Sequence, residues 1–416
     1  MKKKPVSRRR FVAGTVGASL VMTGLRAGGF SAAGARRKVL FDTDIGSDID
    51  DAVALAYLLR QPRCELLGIT TVTGDSSGRA SLAASLCDLA GVAVPIFPGE
   101  ETPLKIEQMQ LEAPQTRRLE GPRREFPRNG AIEFLAETIR ANPGEVTLLA
   151  VGPLTNIALL FTHHPDVPAL LGSLVWMGGK YSDYPTPWGP TEWNAIVDPD
   201  AAHQVLSSAA TPVTCFGLDI TWRLSMTPAA VAERFRGDPL LERVHDWSAV
   251  WFEERELLHF HDPLAAVSIF DPVVATLMSG IIDVDLAPGD HRGVTHFSPT
   301  PKSNLRVASE VDADAFFSAY FSVLLLAGEQ TKNAHEGRFL RVCGGGPGIR
   351  TPGTSRFNGF QDRRFRPLSQ PTVSRFAGTA IIRAGSVGAT DSLHFDAICA
   401  GQLSWLGKIP AINRHE

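Results

Sequence analysis

Short apolar runs alternate with longer segments of mixed polarity along the chain from about residue 36 to residue 330. Short continuous apolar runs predict strands that are buried on both faces, as they are in a parallel sheet. The runs that predict strands are Val39–Phe41, Glu65–Val72, Val94–Phe97, Val146–Val151, Ser173–Met177, Pro212–Leu218, Ile281–Leu286 and Leu305–Val311.

Segments whose apolar residues recur three or four positions apart predict helices between these strands. The predicted helices are Ala52–Arg60, Arg79–Ala90, Ala131–Ala141, Pro199–Ser207 and Ala313–Leu326, with others that begin after Asn156, at Pro228 and at Leu240. Because strands and helices alternate, the predicted fold class is α/β, with a doubly wound, mostly parallel open sheet flanked by helices.

Three segments depart from this alternation. The polar loops Gly99–Asn129 and Lys180–Trp193 interrupt the domain, and a loop as long as the first is expected to be a functional lid or an insertion. Residues 331–416 are rich in Gly, Pro, Ser and Arg and lack periodicity, which predicts a disordered or weakly structured tail outside a domain of residues 36–330.

Residues 1–35 resemble a twin-arginine export signal. The run Ser7–Phe11 carries three consecutive arginines, the stretch Val12–Met22 is moderately apolar, and Ala33–Ala35 offers small residues for cleavage. The apolar stretch is too short to span a bilayer stably. The expected location is therefore the bacterial periplasm or the medium, and the alternative is a basic tail without a targeting role.

Composition names no partner by itself. In 416 residues, hydrophobic residues make up 44% and charged residues 20%, as in an ordinary soluble domain. The net charge of -3 gives no attraction to nucleic acid or to an anionic membrane. The five cysteines show neither paired nor zinc-type spacing, so no disulfide and no zinc site is predicted.

The first strand is followed by an unusually acidic turn. Five aspartates, Asp42, Asp44, Asp48, Asp50 and Asp51, lie between the apolar run and the first helix. Carboxylates this close repel one another unless a cation binds them, and oxygen ligands suit Ca²⁺ or Mg²⁺. Helix capping is the alternative, but it explains only one or two of them and leaves Asp44 unexplained.

Four stretches together resemble the inosine-uridine preferring nucleoside hydrolase family over residues 38–328. The segment Asp42–Ala52 is similar to the family's first signature, with Ile45 in place of Pro and a turn that is two residues longer. The other three stretches are Leu149–Asn156, the segment Glu192–Asn194 with the following Asp198–Ala202, and His261–Ala265.

The resemblance implies hydrolysis of the N-glycosidic bond of ribonucleosides with bound Ca²⁺. The implied calcium ligands are Asp44, Asp51, Asp262 and the backbone carbonyl of Val151. Asp44 is further implied as the general base that activates water, and His261 as the group that protonates or polarises the leaving base.

The resemblance also implies which residues bind the ribose and how the chain assembles. The implied substrate-binding residues are Asp50, Asp75, Glu192 and Asn194, and Asp75 stands where the family often has Asn. The family forms dimers or tetramers, so a homo-oligomer is expected. The loop Gly99–Asn129 lacks the His that the family often carries there, which leaves the preferred base open.

Two other functions compete with this one. The pair Asp42 and Asp44 also opens the haloacid dehalogenase pattern of metal-dependent phosphatases, although Gly46 stands where that pattern requires Thr or Val. Alternatively, the same pocket could be a calcium-dependent nucleoside or sugar binder with little turnover. Asp44 and His261 form a complete catalytic set, which argues against a pure binder.

Overall fold

A computed structural model describes residues 36–127, 130–208 and 211–324. The predicted export signal, residues 1–35, and the predicted tail, residues 331–416, lie outside these ranges. None of the helices within them is long and apolar enough to cross a bilayer.

The described residues form eleven strands, seven of which begin and end within two residues of a predicted strand. They are β1 (Arg37–Thr43), β2 (Cys64–Thr71), β3 (Ile96–Pro98), β4 (Val146–Ala150), β5 (Ser173–Met177), β6 (Val213–Phe216), β7 (Ser225–Met226), β8 (Leu258–His259), β9 (Ala275–Val284), β10 (Thr295–Pro299) and β11 (Leu305–Val311).

The helices lie between these strands. They are α1 (Asp50–Arg60), α2 (Ser76–Ala90), α3 (Ala131–Ala141), α4 (Thr155–His163), α5 (Val167–Leu170), α6 (Trp193–Val197), α7 (Pro199–Leu206), α8 (Leu218–Thr221), α9 (Pro228–Arg234), α10 (Pro239–Trp251), α11 (His261–Phe270) and α12 (313–324), with 3-10 helices at Pro114–Arg118 and Pro272–Val274.

A nine-stranded sheet, in the order β10-β9-β11-β6-β5-β4-β1-β2-β3, forms the centre of the described residues. Neighbours from β11 to β3 pair in parallel, whereas β9 is antiparallel to both β11 and β10. The predicted α/β class with a mostly parallel sheet is therefore confirmed.

Apolar side chains cover both faces of the sheet. In β1, Val39 and Phe41 belong to one buried cluster and Leu40 to the other, because successive side chains of a strand point to opposite faces. Helices α1 and α11 pack against each other in the first cluster, and the small residues Ala52 and Ala56 face that interior. This packing brings the N-termini of the two helices together. Three cysteines in these cores, Cys64, Cys87 and Cys215, are buried with free thiols.

The segment 99–127, expected to be a lid or an insertion, packs firmly against the domain. Its 3-10 helix lies beside α10, where Arg118 pairs with Asp246 at 3.2 Å. At the turn after β1, Gly46 has a φ of +117°, and a Cβ there would lie 2.9 Å from the Cβ of Ala113. A glycine is therefore required both by the backbone conformation and by the close approach of this segment.

Two features of the sheet differ from the sequence expectation. Strand β9 begins at Ala275, before the predicted Ile281–Leu286, and β10 was not predicted. The first half of β9 is half-buried or exposed, as is common in an antiparallel strand, and Thr276 and Ser279 interrupt its apolar residues, so a search for continuous apolar runs finds only the end of the strand. The two-residue strands β7 and β8 are too short to show a pattern.

Candidate active site

Three carboxylates meet where α1 and α11 begin. Asp50 and Asp51 open α1, Asp262 lies in the first turn of α11, and each residue is at most 3% exposed. Each offers one oxygen, and these oxygens lie within 4.8 Å of one another. Asp50 Oδ2 also accepts a hydrogen bond from the Asp262 backbone N–H at 2.9 Å, which fixes one helix start against the other.

Helix capping explains the contact of Asp50 with the Asp262 N–H but not the cluster as a whole. The N-cap positions of α1 and α11 are Ile49 and Phe260, and neither provides a side-chain cap. Burial, reinforced by the neighbouring negative charges, raises the pKa values of Asp50, Asp51 and Asp262 well above the usual range. Buried, mutually repelling oxygen ligands are the donor set of a hard cation, so the cluster is suited to hold a metal ion.

Asp44 adjoins this cluster at the end of β1 and is 5% exposed. It lies outside the 4.8 Å set, but its charge helps to raise the pKa of each member. Its Oδ2 accepts a hydrogen bond from Gln110 Nε2 at 2.8 Å. Its Oδ1 faces Gly152, where an added Cβ would lie 2.9 Å away. Gly152 therefore lets the chain after β4 pass close to the Asp44 carboxylate.

The Val151 carbonyl and the Asn194 amide are joined directly. Asn194 Nδ2 donates to Val151 O at 2.8 Å and to Met177 O at 3.1 Å, and so ties together the ends of β4 and β5. A carbonyl oxygen has two lone pairs, so Val151 can still bind a cation. Among the described residues no group donates to Asn194 Oδ1, which leaves that oxygen available to a substrate hydroxyl.

Glu192 is held by backbone groups at the start of α6. Its Oε1 accepts from Asn194 N at 2.8 Å, and its Oε2 accepts from Gly179 N at 2.7 Å and from Ala195 N at 3.0 Å. Burial raises the pKa of Glu192 to about 7, although these hydrogen bonds oppose the shift. Glu192 is thus a rigidly held helix cap. Its predicted contact with ribose must use the carboxylate lone pairs that these three backbone hydrogen bonds do not occupy.

Asp75, predicted to bind ribose, also acts as a cap. Its Oδ1 accepts from Gly78 N at 2.9 Å at the start of α2, and its Oδ2 lies 2.6 Å from an Arg123 nitrogen. In the following stretch, Asp198 caps α7, whereas Asp200 pairs with Arg292 and Lys105. The ribose contact of Asp75 stays a prediction.

Two histidines, His259 and His261, come immediately before Asp262 in the chain. His261 is 8% exposed and its Nδ1 is 2.7 Å from Thr221 Oγ1. His259 stacks on Trp222 with the ring centres 3.8 Å apart, and Trp188 meets Trp222 edge-on at 5.2 Å. Burial lowers the pKa of His259 to about 4 and that of His261 well below its usual range. Both rings are therefore neutral at pH 7, and a neutral imidazole donates one hydrogen bond.

Several residues at this edge of the sheet were not identified from the sequence. Arg79 is fully buried and donates to the backbone carbonyls of Asp44 and, at 2.8 Å, of Thr73. Asp42, by contrast, is one of the five aspartates of the acidic turn in the sequence, but it lies apart from the cluster, and its Oδ1 accepts from Thr70 at 2.5 Å and from Asn156 at 2.7 Å. In the sequence, the one feature that could have indicated a buried role for Arg79 is its position as a single Arg in a run of small residues.

Comparison with known proteins agrees with this geometry. The family model described as inosine-uridine preferring nucleoside hydrolase matches residues 39–318. Uridine nucleosidase 1 of Arabidopsis thaliana is 30% identical over 277 residues, which cover 61% of this chain and 79% of that relative. The pyrimidine-specific ribonucleoside hydrolase RihB of Escherichia coli strain SE11 is 32% identical over 221 residues, covering 51% of this chain and 69% of RihB.

A solved structure shows the same fold. The plant nucleoside hydrolase PpNRh1 aligns with a TM-score of 0.61 and 25% identity, and the alignment covers 69% of this chain and 98% of that one. Because the family model matches more than half of the sequence, the chain belongs to the inosine-uridine preferring nucleoside hydrolase family.

Proposed function

We propose that the protein hydrolyses the N-glycosidic bond of ribonucleosides and releases ribose and a free base. The observation that carries the proposal is the position of Asp44 beside the buried cluster of Asp50, Asp51 and Asp262, at the carboxyl ends of the central strands. Open parallel sheets bind their ligands at this edge.

The proposed metal is Ca²⁺, held by Asp44, Asp51, Asp262 and the Val151 carbonyl. All of these donors are oxygens, and a set of carboxylates and a carbonyl favours a hard cation such as Ca²⁺ over the softer zinc. When bound, Ca²⁺ would lower the pKa of a water molecule and bind the vicinal hydroxyls of the sugar.

Side chains of the protein would activate the water and bind the ribose. Asp44 would accept a proton from the attacking water as general base. Asp50, Glu192 and Asn194 would accept hydrogen bonds from the ribose hydroxyls and hold C1′ in place as positive charge develops there. Because Glu192 and Asn194 are fixed by backbone contacts, the sugar would meet a site that needs little rearrangement.

His261 would donate a hydrogen bond to the nucleobase as it departs. Thr221 engages its Nδ1, so Nε2 is the ring atom left for the base. A neutral His261 would polarise the departing base through a hydrogen bond from its Nε2–H. Complete protonation of the base by His261 would require the imidazolium form, which burial of the ring disfavours.

The names of the relatives suggest which bases to test first. The Arabidopsis relative is named for uridine and the E. coli relative for pyrimidine ribonucleosides. We therefore place uridine first, with inosine as the purine comparison.

A substrate panel tests the function against its two rivals. Purified protein is incubated with Ca²⁺ and uridine, cytidine, inosine or adenosine, and free ribose is measured; a phosphoester substrate is included in parallel. Hydrolysis predicts ribose release from at least one nucleoside and no phosphate release. Nucleoside binding without ribose would favour the binding protein, and phosphate release would favour the phosphatase.

We also propose that residues 1–35 direct export and that the mature enzyme is a homo-oligomer, both by resemblance. Replacing Arg8 and Arg9 by Lys should leave the protein in the cytoplasm of a bacterial host, as followed by fractionation. Unchanged export of this variant would show that the twin arginines are not the signal. Light scattering of the purified protein measures the assembly, and a monomer would contradict the expected dimer or tetramer.

A further inference from the structure

Gln110 belongs to the segment between β3 and α3 and reaches into the site from outside all the motifs that indicated function. It is 2% exposed. Its side-chain amide contacts three other side chains: Nε2 donates to Asp44 Oδ2 at 2.8 Å and to Ser47 Oγ at 2.7 Å, and Oε1 accepts from Trp193 Nε1 at 2.8 Å.

The partners determine which way this amide faces. The indole N–H of Trp193 can only donate, so the oxygen of Gln110 must face Trp193. The amide NH₂ then points to the Asp44 carboxylate, which can only accept when it is ionised. All three polar contacts are satisfied in this orientation alone.

The backbone around Gln110 is equally constrained. A Cβ on Gly74 would lie 2.1 Å from the Gln110 carbonyl oxygen, so the segment presses directly on the loop after β2. Leu111 O accepts from Asp75 N at 3.0 Å, and the Gln110 backbone N–H donates to Gln108 Oε1 at 2.7 Å. The Gln110 side chain is thus supported on both sides.

We propose that Gln110 is a positioning residue for the general base: it holds Asp44 Oδ2 and directs Oδ1 toward the water that is to be deprotonated. The inference rests on the proposed hydrolysis. Trp193 supports it indirectly, because its N–H fixes the Gln110 amide. The hydrogen bond between Trp193 and Gln110 also links the segment 99–127 to the start of α6, where Glu192 and Asn194 lie.

The first test replaces Gln110 by Leu, which keeps the approximate size but removes all three hydrogen bonds. The matched control is Gln115→Leu, in the same segment. Gln115 is also fully buried, and its amide donates to the Asp48 backbone carbonyl at 2.9 Å rather than to a catalytic side chain. Both variants are assayed well below their melting temperatures, on uridine or inosine and on a nitrophenyl riboside.

Because a hydrogen bond to a charged group is lost, Gln110→Leu should lower kcat about 10- to 100-fold. The factor should be the same for both leaving groups, since water must be activated in each case, and KM should change little. Gln115→Leu should keep kcat within about twofold even if its melting temperature falls.

A double-mutant cycle tests the role of Trp193. Trp193→Phe keeps a ring but removes the N–H, and should lower kcat about two- to tenfold in the wild-type background. If Trp193 acts through Gln110, the same change should cause no further loss of kcat in the Gln110→Leu background. An equal loss in both backgrounds would show that Trp193 acts independently and would remove it from the proposal.

The outcomes separate this inference from the function on which it rests. A wild-type protein that hydrolyses no nucleoside refutes the proposed function. An active wild type with an unchanged kcat in Gln110→Leu overturns the inference alone. Equal losses in Gln110→Leu and Gln115→Leu would show that only the packing of the segment matters, and a loss confined to KM or to one leaving group would assign Gln110 to substrate binding.

Discussion

Replacing Asp262 by Asn distinguishes a cation site from carboxylates that merely begin helices. Within the described residues no group donates a hydrogen bond to the Asp262 side chain, and its pKa is raised by burial and by the surrounding aspartates. Asn has the same shape without the charge. The substitution should therefore stabilise the metal-free protein and weaken the binding of Ca²⁺.

The size of the effect follows from the spacing of the cluster. At an effective dielectric constant of about 20, two unit charges 4.8 Å apart repel each other by about 3.5 kcal/mol. Partial protonation relieves some of this repulsion, so we expect Asp262→Asn to raise the unfolding free energy of chelator-treated protein by about 1–3 kcal/mol at pH 8. When free Ca²⁺ is 100-fold above its dissociation constant, binding should raise the unfolding free energy of the wild type by about 2.7 kcal/mol. The same Ca²⁺ concentration should raise that of the variant by less.

Urea unfolding with chelator and with added Ca²⁺ measures both effects. Asp198→Asn is the matched control, because Asp198 is fully buried but accepts hydrogen bonds from Thr155, Leu104 and Ala201. The unfolding free energy of this control should fall by about 1–3 kcal/mol, whether or not Ca²⁺ is present. If Asp262→Asn instead destabilises the metal-free protein and leaves the response to Ca²⁺ intact, the cluster is not the cation site.

Three further predictions concern catalysis, pH and the end of the chain. Asp44→Asn should nearly abolish hydrolysis of every substrate. His261→Ala should slow hydrolysis of a natural nucleoside about 10²–10⁴-fold and barely affect that of a nitrophenyl riboside. If His261→Ala slows both substrates equally, His261 does not act on the leaving group. Burial raises the pKa values of Asp42 and Glu192 to about 7, so the folded state binds more protons than the unfolded state between pH 4 and 7. The lowered pKa values of His259 and His261 act in the opposite direction below about pH 6.5, where an unfolded histidine is protonated. The unfolding free energy of metal-free protein should therefore fall from about pH 6.5 to pH 8 in urea titrations, and a rise over this range would contradict the raised pKa values of Asp42 and Glu192. Deleting residues 331–416 should leave the melting temperature nearly unchanged, and aggregation of the truncated chain would show that the tail completes the core.

The parallel part of the sheet could be predicted from the sequence because burial on both faces leaves a continuous apolar run. Leu148 and Leu149 in β4 illustrate this, since each belongs to a different core. Strand β9 departs from that rule because its neighbours are antiparallel, and Thr276, Ser279 and Gly280 interrupt its apolar residues before Ile281.

The acidic residues of the site could also be predicted, since a dense group of aspartates at a strand end is visible in the chain itself. Gln110 could not, because it lies in an aperiodic polar segment and reaches Asp44 only through the packing of that segment against Gly46 and Gly74. The stacking of His259 on Trp222 likewise joins residues far apart in sequence, and no local pattern reveals such a pair.

The most direct test of the account is the fate of the oxygen of water. Purified enzyme with Ca²⁺ is given uridine and inosine in ¹⁸O-labelled water without phosphate, and the products are analysed by mass spectrometry immediately after mixing, with unlabelled ribose added to a parallel sample to measure exchange. The account predicts equal amounts of ribose and free base, with one ¹⁸O in the ribose beyond that exchange and none in the base, and no product from Asp44→Asn. Intact nucleoside after incubation, or base release only when phosphate is added, would contradict it.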